Sequence, residues 1–591
     1  MNTKNTVETY AVDFETFYSK EVSIKTLGPI GYFSHPEFDA YMVSVVGTDG
    51  TSWAGHPKDF DWSLLEGQIC LSHNASFDET LYLFGIGKGW WPKVQPLEWH
   101  CTADMAAYLG YLRSLKGASE EILDIVIEKT TRDNMRGRRW EDMGEDFQKE
   151  VLDYATKDSE LCLDIWLKVG DQWPEHERVI SLLNRKGLQQ GIPVNSDKIR
   201  KAHEKLTTYK FELEQSVPWA GEKPLLSRPA FNEACVAVGI DPPVSLAQTD
   251  PAASSFFEKY EEEYPWVVAI RDWRRVNTLE KKVKAFQNGS AVDGRFYGNI
   301  MYAGAHTLRF SGGGGNLNLQ NLPRGDMFGI NMRNFFEAPK GKKFLVVDLS
   351  QIEVRTVCYL AKWGEMLKRI AGSEDIYQVF AVAFGLWDDS KGALRSDGDL
   401  RSAVKEMVLS CQYQVGKERF SSASGLSLAE SDRLVKLYRK TMKPIVDLWD
   451  SYQEDIRGAQ QSGQDFTVAL PTRNLNYGRV RKAVQHGKSQ FVVLMPKQHR
   501  RVPTKIYGGK VTENAAQAFA RDVFGDMLIR IDEQMGMRPL FHVHDEFIYE
   551  VDEDSGEEDL AKVLDIMGTP PDWAPELPVA AEGGLFDHYT K

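Results

Sequence analysis

Apolar residues in this chain fall into short runs separated by polar, charged stretches, and their spacing changes along its length. Two early runs, Thr9 to Phe14 and Tyr41 to Val46, read as strands, and a helical pattern follows through Ile165. Residues 1 to about 170 therefore read as an α/β domain. Residues 171 to about 300 read as mainly helical and charged, interrupted by the loop Asp241-Pro242-Pro243 and by Gln248 to Ala253. Residues 301 to 325 form a Gly- and Asn-rich loop with Gly312 to Gly315 in succession. Beyond it, strands near 344, 470 and 545 alternate with long helices. No stretch is apolar for the 18 or so residues that a membrane span requires. No internal repeat or long low-complexity tract is evident.

Several of these strands end in acids. The run Phe344-Leu345-Val346-Val347 leads into Asp348-Leu349-Ser350-Gln351-Ile352-Glu353, and the run Leu540 to Tyr549 contains His544-Asp545-Glu546. Burying a carboxylate costs several kcal/mol unless it is paired or bound to a metal. Two such acids brought together by folding suit a pair of divalent cations and phosphoryl transfer. Near the amino terminus, Asp13-Phe14-Glu15 closes the first strand, and positions i and i+2 of a strand share a face. Asn74-Ala75-Ser76-Phe77-Asp78 and Tyr154-Ala155-Thr156-Lys157-Asp158 follow, the last with Tyr154 and Asp158 one helical turn apart. A lone D-x-E is weak, because an ion-paired or surface acid explains it equally well. The ordered set of D-x-E, N-x-x-x-D and Y-x-x-x-D is far more specific.

Composition adjusts this picture further. A length of 591 residues corresponds to about four domains of ~150 residues. Six scattered cysteines without a C-x-x-C pair point to a reducing cytoplasm and away from structural zinc. The start, Met1 to Asn5, leads into no signal-like apolar run. The net charge of −14 argues against a nucleic-acid partner only as a global sum. From Arg473 to Lys510 there are ten Lys or Arg residues and no Asp or Glu. Such a stretch is ordinarily a solvated face, but its one-sidedness makes a phosphate-facing surface a real alternative.

A further pattern is Arg401, Lys405, Leu409 and Tyr413, each four residues from the next. On a helix each step of four turns by only about 40°, so two cations, an apolar residue and a ring would line one ridge. A triphosphate with its sugar and base needs that order. An amphipathic helix with basic ends is the plain alternative.

Taken together these segments resemble family A DNA polymerases, in their bacteriophage branch, with the three motifs of a DEDDy 3′→5′ proofreading exonuclease at the amino terminus. The resemblance implies an RNase H-like α/β exonuclease followed by a right-hand polymerase, α+β overall, with thumb, antiparallel palm sheet and helical fingers. It implies exonuclease at 1–170, thumb and primer-contact loop at 171–335, palm strand at 336–362, fingers at 363–505 and palm again at 506–591. Asp13, Glu15, Asp78 and Asp158 would hold two Mg²⁺ or Mn²⁺ ions, and Tyr154 would orient the attacking water. Asp348 and Asp545 would hold two more, with Glu546 secondary. Arg401 and Lys405 would bind the phosphates of a dNTP. Leu409, Tyr413, Gln351, Glu353 and His544 would complete the nucleotide and primer-end site, with Glu353 excluding a 2′-OH. A hydrogen-bonded core residue is an equal alternative for His544.

The segment from His306 through Arg309 to Ser311, continuing to Asn318-Leu319-Gln320-Asn321-Leu322-Pro323-Arg324, resembles the family's primer–template loop. It implies DNA contacts from Arg309, Asn318 and Gln320. Thr512-Glu513-Asn514-Ala515-Ala516-Gln517 adds Gln517, and Pro471-Thr472-Arg473 adds Arg473. Three positions depart from the pattern. Leu308 and Gln414 stand where glycine is usual, and Leu409 where an aromatic residue is usual. Primer–template DNA and dNTPs are the implied partners, with a replication helicase, primase and single-strand-binding protein in prospect, an unassigned processivity factor and no membrane. The implied location is the cytoplasm, that of the host bacterium for a phage protein. A 3′→5′ exonuclease with a merely DNA-gripping carboxy-terminal half, or a silent replication scaffold, are the competing readings.

Overall fold

The computed structural model describes residues 7–128, 130–247, 250–313, 317–485, 487–497 and 500–589. Met1 to Asn5, and parts of the Gln248 to Ala253 and Gly312 to Gly315 segments, lie outside them. The amino-terminal unit is built on a five-stranded sheet in the order Ser52–Gly55, Met42–Gly47, Thr9–Glu15, Ile69–Ser72, Glu98–Cys101. Its first three strands pair antiparallel and its last three parallel. The helix Glu145–Val169 packs across this sheet through Val151, Ala155 and Cys162, which recur on one face.

Residues 175–289 are mainly helical, as their pattern predicts, with long helices at Glu175–Leu188, Ser196–Gln215 and Pro265–Gly289. The carboxy-terminal half centres on a four-stranded antiparallel sheet in the order Phe541–Val543, Glu546–Asp552, Lys342–Leu349, Ala581–Phe586. The last of these strands, Gly-rich and half-exposed, carries no readable apolar alternation in the sequence. Phe344 to Val347 are almost wholly buried, because helices and loops cover both faces of this sheet. Its core is continuous with Met105, Ile165 and Trp173 of the amino-terminal half. The two halves therefore fold against each other.

Residues 363–505, expected as helical fingers apart from a strand near 470, contain more strand than that. Helices end with Lys443–Ser462, and residues 465–506 form two small antiparallel sheets. Alternation such as Phe466 and Val468 inward with Asp465, Thr467 and Ala469 outward commits this stretch to strands. Among the described residues no helix is long and apolar enough to cross a membrane.

Candidate active sites

The central sheet brings the two carboxy-terminal acids to one edge. Asp348 is the penultimate residue of its strand, directly opposite Glu546 on the next. The Leu349 amide donates to the Asp545 carbonyl at 3.1 Å, which ties the end of one strand to the turn before the other. That turn is His544-Asp545, joining Phe541–Val543 to Glu546–Asp552, and His544 has a left-handed backbone (φ 58°). His544 is exposed on the turn, so the alternative of a core histidine is set aside. Burial pushes the Asp545 carboxyl up to about 6 and that of Glu546 up to about 7. Arg309 and Arg324 oppose the shift at Asp545, and Glu546 accepts a hydrogen bond from the Tyr589 hydroxyl at 2.7 Å. Sequence reasoning missed Tyr589, since a lone tyrosine far along the chain carries no signal of its own.

Gln351 takes a left-handed conformation (φ 48°) that turns the strand Lys342–Leu349 into the helix Ile352–Leu360. Glu353 then sits in the first helical turn. Its two oxygens are shared between Arg309 Nη1 and Tyr413 Oη, each at 3.0 Å. Arg401, Lys405 and Leu409 lie on the helix Gly398–Cys411, with Lys405 exposed and Leu409 half-buried against the neighbouring helices. That helix stops at Cys411, so Tyr413 does not continue its ridge, contrary to the four-residue spacing. The reason is local: Gln414 adopts φ 65°, a conformation that ends a helix, and its side-chain oxygen accepts from the Gly509 amide at 3.1 Å. Arg401 is held by Asp375, with Nε to Oδ2 at 2.6 Å and Nη2 to Oδ1 at 3.3 Å. Asp375 caps another helix, Ile376–Ala383, and was not foreseen.

Leu308, the other glycine substitute, also adopts a left-handed conformation (φ 59°), so the backbone shape that glycine favours is present at both positions. The side chain of Leu308 is buried in the main core. Of the expected DNA contacts, the Arg473 and Gln320 side chains are turned inward and Asn318 is half-buried. Arg473 lies between Asp522 and the Thr307 carbonyl, with 9% of its side chain exposed. Asn318 caps its own turn by accepting from the Gln320 amide, and Gln320 accepts from the Gly312 amide. A loop needs its polar groups satisfied, and these side chains do that work. Gln517, on the helix Gly508–Met535, stays half-exposed.

The amino-terminal acids share a cavity of about 1150 Å³. Asp13 and Glu15 reach it from the strand Thr9–Glu15, Asp78 from the helix Ala75–Lys88, and Tyr154 and Asp158 from the helix Glu145–Val169. The Phe14 amide donates to Asp78 at 3.1 Å. Burial raises the Asp13 carboxyl well above its ordinary range, reinforced by Glu15, Asp78 and Asp158. Burial and Asp158 push Glu15 up to about 8, and burial pushes Asp78 up to about 7. Arg132, unremarkable in the sequence, supplies opposing positive charge to Asp13 and Glu15.

Among the described residues no three His, Cys, Asp or Glu side chains converge closely enough to form a ready-made metal cage. The donor chemistry nevertheless suits Mg²⁺ or Mn²⁺. Both acid groups are all-oxygen, and the amino-terminal carboxylates repel one another in a way that bound cations would relieve.

Residues 245–589 match the family model described as DNA polymerase family A. The chain is 25% identical to a DNA polymerase of Bacillus phage SP02, over 99% of this chain and 100% of that protein. It is 24% identical to a thermostable DNA polymerase I of Thermus filiformis over 72% of this chain, spanning about half (49%) of that relative's length. Among solved structures, the polymerase domain of Pol1 from M. smegmatis, in complex with DNA primer-template and dNTP, has a TM-score of 0.67 at 18% identity. That likeness covers 99% of this chain and 96% of that one, and it shows a shared fold.

Proposed function

The chain belongs to DNA polymerase family A and is a template-directed DNA polymerase, and on that premise we propose that it extends a primer 3′-OH at Asp348 and Asp545 and proofreads at the amino-terminal acids. The observation that carries the synthetic site is the pairing of strand ends that sets Asp348 opposite Glu546 and bonds Leu349 to Asp545. Asp348 and Asp545 would hold divalent cations, with Asp13, Glu15, Asp78 and Asp158 the equivalent set in the cavity. Bound there, such ions lower the pKa of the attacking hydroxyl or water and neutralise charge on the leaving oxygen.

The chain's own residues do the rest. Lys405 and Arg401 supply positive charge for the triphosphate, Arg401 after exchanging Asp375 for phosphate. Glu353, fixed by Arg309 and Tyr413, occupies the place under the sugar. Gln351 shapes the turn that presents it, and Leu409 offers an apolar side to the nucleotide. His544 presents its ring at the primer end, and Gln517 an amide to the template. Tyr154 orients a water in the cavity.

In domain terms the reading is an RNase H-like exonuclease to about residue 170, a thumb to 335, a palm split between 336–362 and 506–591, and fingers between them whose helices end at Ser462. Likeness to the SP02 enzyme along both whole chains supports a phage replication enzyme. Primer–template DNA and dNTPs are the substrates this implies, with a helicase, primase and single-strand-binding protein as companions.

A labelled primer–template assay in Mg²⁺, with and without dNTPs, tests both sites. The expected result is extension with dNTPs and shortening without them. Asp13→Ala/Glu15→Ala would abolish only shortening, and Asp545→Ala only extension. Loss of extension in the exonuclease variant, or persistence of shortening, would refute the separation.

A further inference from the structure

The basic stretch from Arg473 to Lys510 remains unassigned. Three of its ten cations are spent on acids: Arg473 on Asp522, Arg501 on Glu121 and Lys510 on Glu513. Arg481, Lys482, Lys488, Lys497, Arg500 and Lys505 have no acid partner within ion-pair distance among the described residues. Most of them sit on the sheet Arg481–Gln485, Lys488–Lys497, Arg500–Ile506. One face of this sheet is core: Val493 and Ile506 are 1% and 2% exposed, packed with Phe466, Tyr477 and Val511. The other face carries a cross-strand row Arg481–Val492–Lys505, followed by Leu494–Pro503, with Lys488 on the same side. Arg481, Lys488 and Lys505 are exposed, whereas Val492 between the flanking stems is 5% exposed.

This sheet is anchored on the amino-terminal unit. Arg501 grips both Glu121 oxygens, at 2.7 and 3.1 Å, and the Gly110 carbonyl at 3.0 Å. Beside it, Pro496 and Lys497 form part of the wall of the same cavity that contains Asp13, Glu15, Asp78 and Asp158. A cavity of about 1150 Å³ exceeds the roughly 300–1,000 Å³ of a small-molecule pocket, so it has room for the end of a single strand. Its four carboxylates repel a polyanion, so an approaching strand needs compensating charge nearby.

We propose that the Arg481–Lys488–Lys505 face binds the backbone of a single DNA strand whose 3′ end lies in the acid-lined cavity. This rests on reading that cavity as the exonuclease site. The face is a strand guide, made of cations for phosphates with Leu494 and Pro503 as apolar ground between them.

The test is binding of a fluorescent single-stranded oligothymidylate to the full chain without divalent metal, as a function of salt. Arg481→Gln/Lys488→Gln/Lys505→Gln would weaken binding at least tenfold. It would also flatten the log affinity–log salt slope by about 2, since each phosphate contact on a single strand contributes about 0.7. Arg481→Lys/Lys505→Arg would retain wild-type binding, separating charge from folding. Extension of a matched primer would change less than twofold, while removal of a mismatched 3′ end in Mg²⁺ would slow at least tenfold. An unchanged slope would overturn the proposal, as would equal losses for single strand and duplex. If the wild type shortens no DNA in Mg²⁺, the exonuclease reading fails and takes the strand's destination with it, whereas the binding arm alone reports on the face.

Discussion

Tyr413 donates its hydroxyl to Glu353 across 3.0 Å, joining the turn after the helix Gly398–Cys411 to the first turn of the helix Ile352–Leu360. Arg309 holds the other Glu353 oxygen, so the carboxylate is fixed from two sides by residues distant in sequence. A group fixed in this way can act as a wall.

Glu353→Ala is expected to raise ribonucleotide incorporation relative to deoxyribonucleotide by on the order of tenfold or more, the range that a single wall contact governs. Tyr413→Phe keeps the ring but removes the donor, and should give a smaller change of the same sign. The kcat/KM ratios for paired rNTP and dNTP measure both. An unchanged ratio in Glu353→Ala would remove the assignment.

The two glycine substitutes should respond differently to glycine. A left-handed non-glycine residue costs about 1–2 kcal/mol. At Leu308 the relief is outweighed by loss of a buried leucine, about 2–5 kcal/mol for truncation to alanine. Leu308→Gly should therefore lower the denaturation midpoint. At Gln414 only a hydrogen bond to Gly509 is lost, about 0.5–1.5 kcal/mol, so Gln414→Gly should stay within about 1 kcal/mol of wild type. Urea unfolding of both variants decides it.

The amino-terminal acids predict a pH-dependent stability of the metal-free protein. Asp13, Glu15 and Asp78 have raised carboxyl pKa values in the fold, to about 8 for Glu15 and about 7 for Asp78. Between the unfolded value of about 4 and those values the folded state binds more protons, so this cluster's contribution falls as pH rises. Asp78→Asn should raise the thermal midpoint of the metal-free protein at pH 8 and make little difference at pH 5. Mg²⁺ should stabilise the wild type more than the variant at pH 8. A variant less stable at pH 8 would contradict the cluster's strain.

Glu177 and Arg521 form a buried pair, each with 2% of its side chain exposed, joined by two bonds at 2.5 and 2.7 Å. Tyr302 adds a third bond to Glu177 at 2.6 Å, and Arg521 lies over the Tyr302 and Phe310 rings. This pair holds the helix Glu175–Leu188 against the helix Gly508–Met535, and Tyr302 ties its own segment to both. Arg521→Met alone should cost about 3–5 kcal/mol by stranding the carboxylate. The double variant Glu177→Gln/Arg521→Met should recover much of that, as equilibrium unfolding would show.

The sequence by itself determined the strands that carry Asp13 and Asp348, the helices that carry Tyr154, Asp158 and Lys405, and the α/β character of the first half. Each is a local matter: alternation or helical spacing places a residue on a face, and that information lies within about ten residues. The tertiary structure decided what those residues meet. Arg473 turns inward because Asp522 is waiting there, Arg401 meets Asp375, and Glu546 meets Tyr589. The sequence separation of such partners, such as 344 residues between Glu177 and Arg521, leaves no periodic trace. The same holds for backbone shape. Leu308 and Gln414 look like lost glycines in the sequence, yet packing and a side-chain hydrogen bond hold both in the conformation that glycine would take.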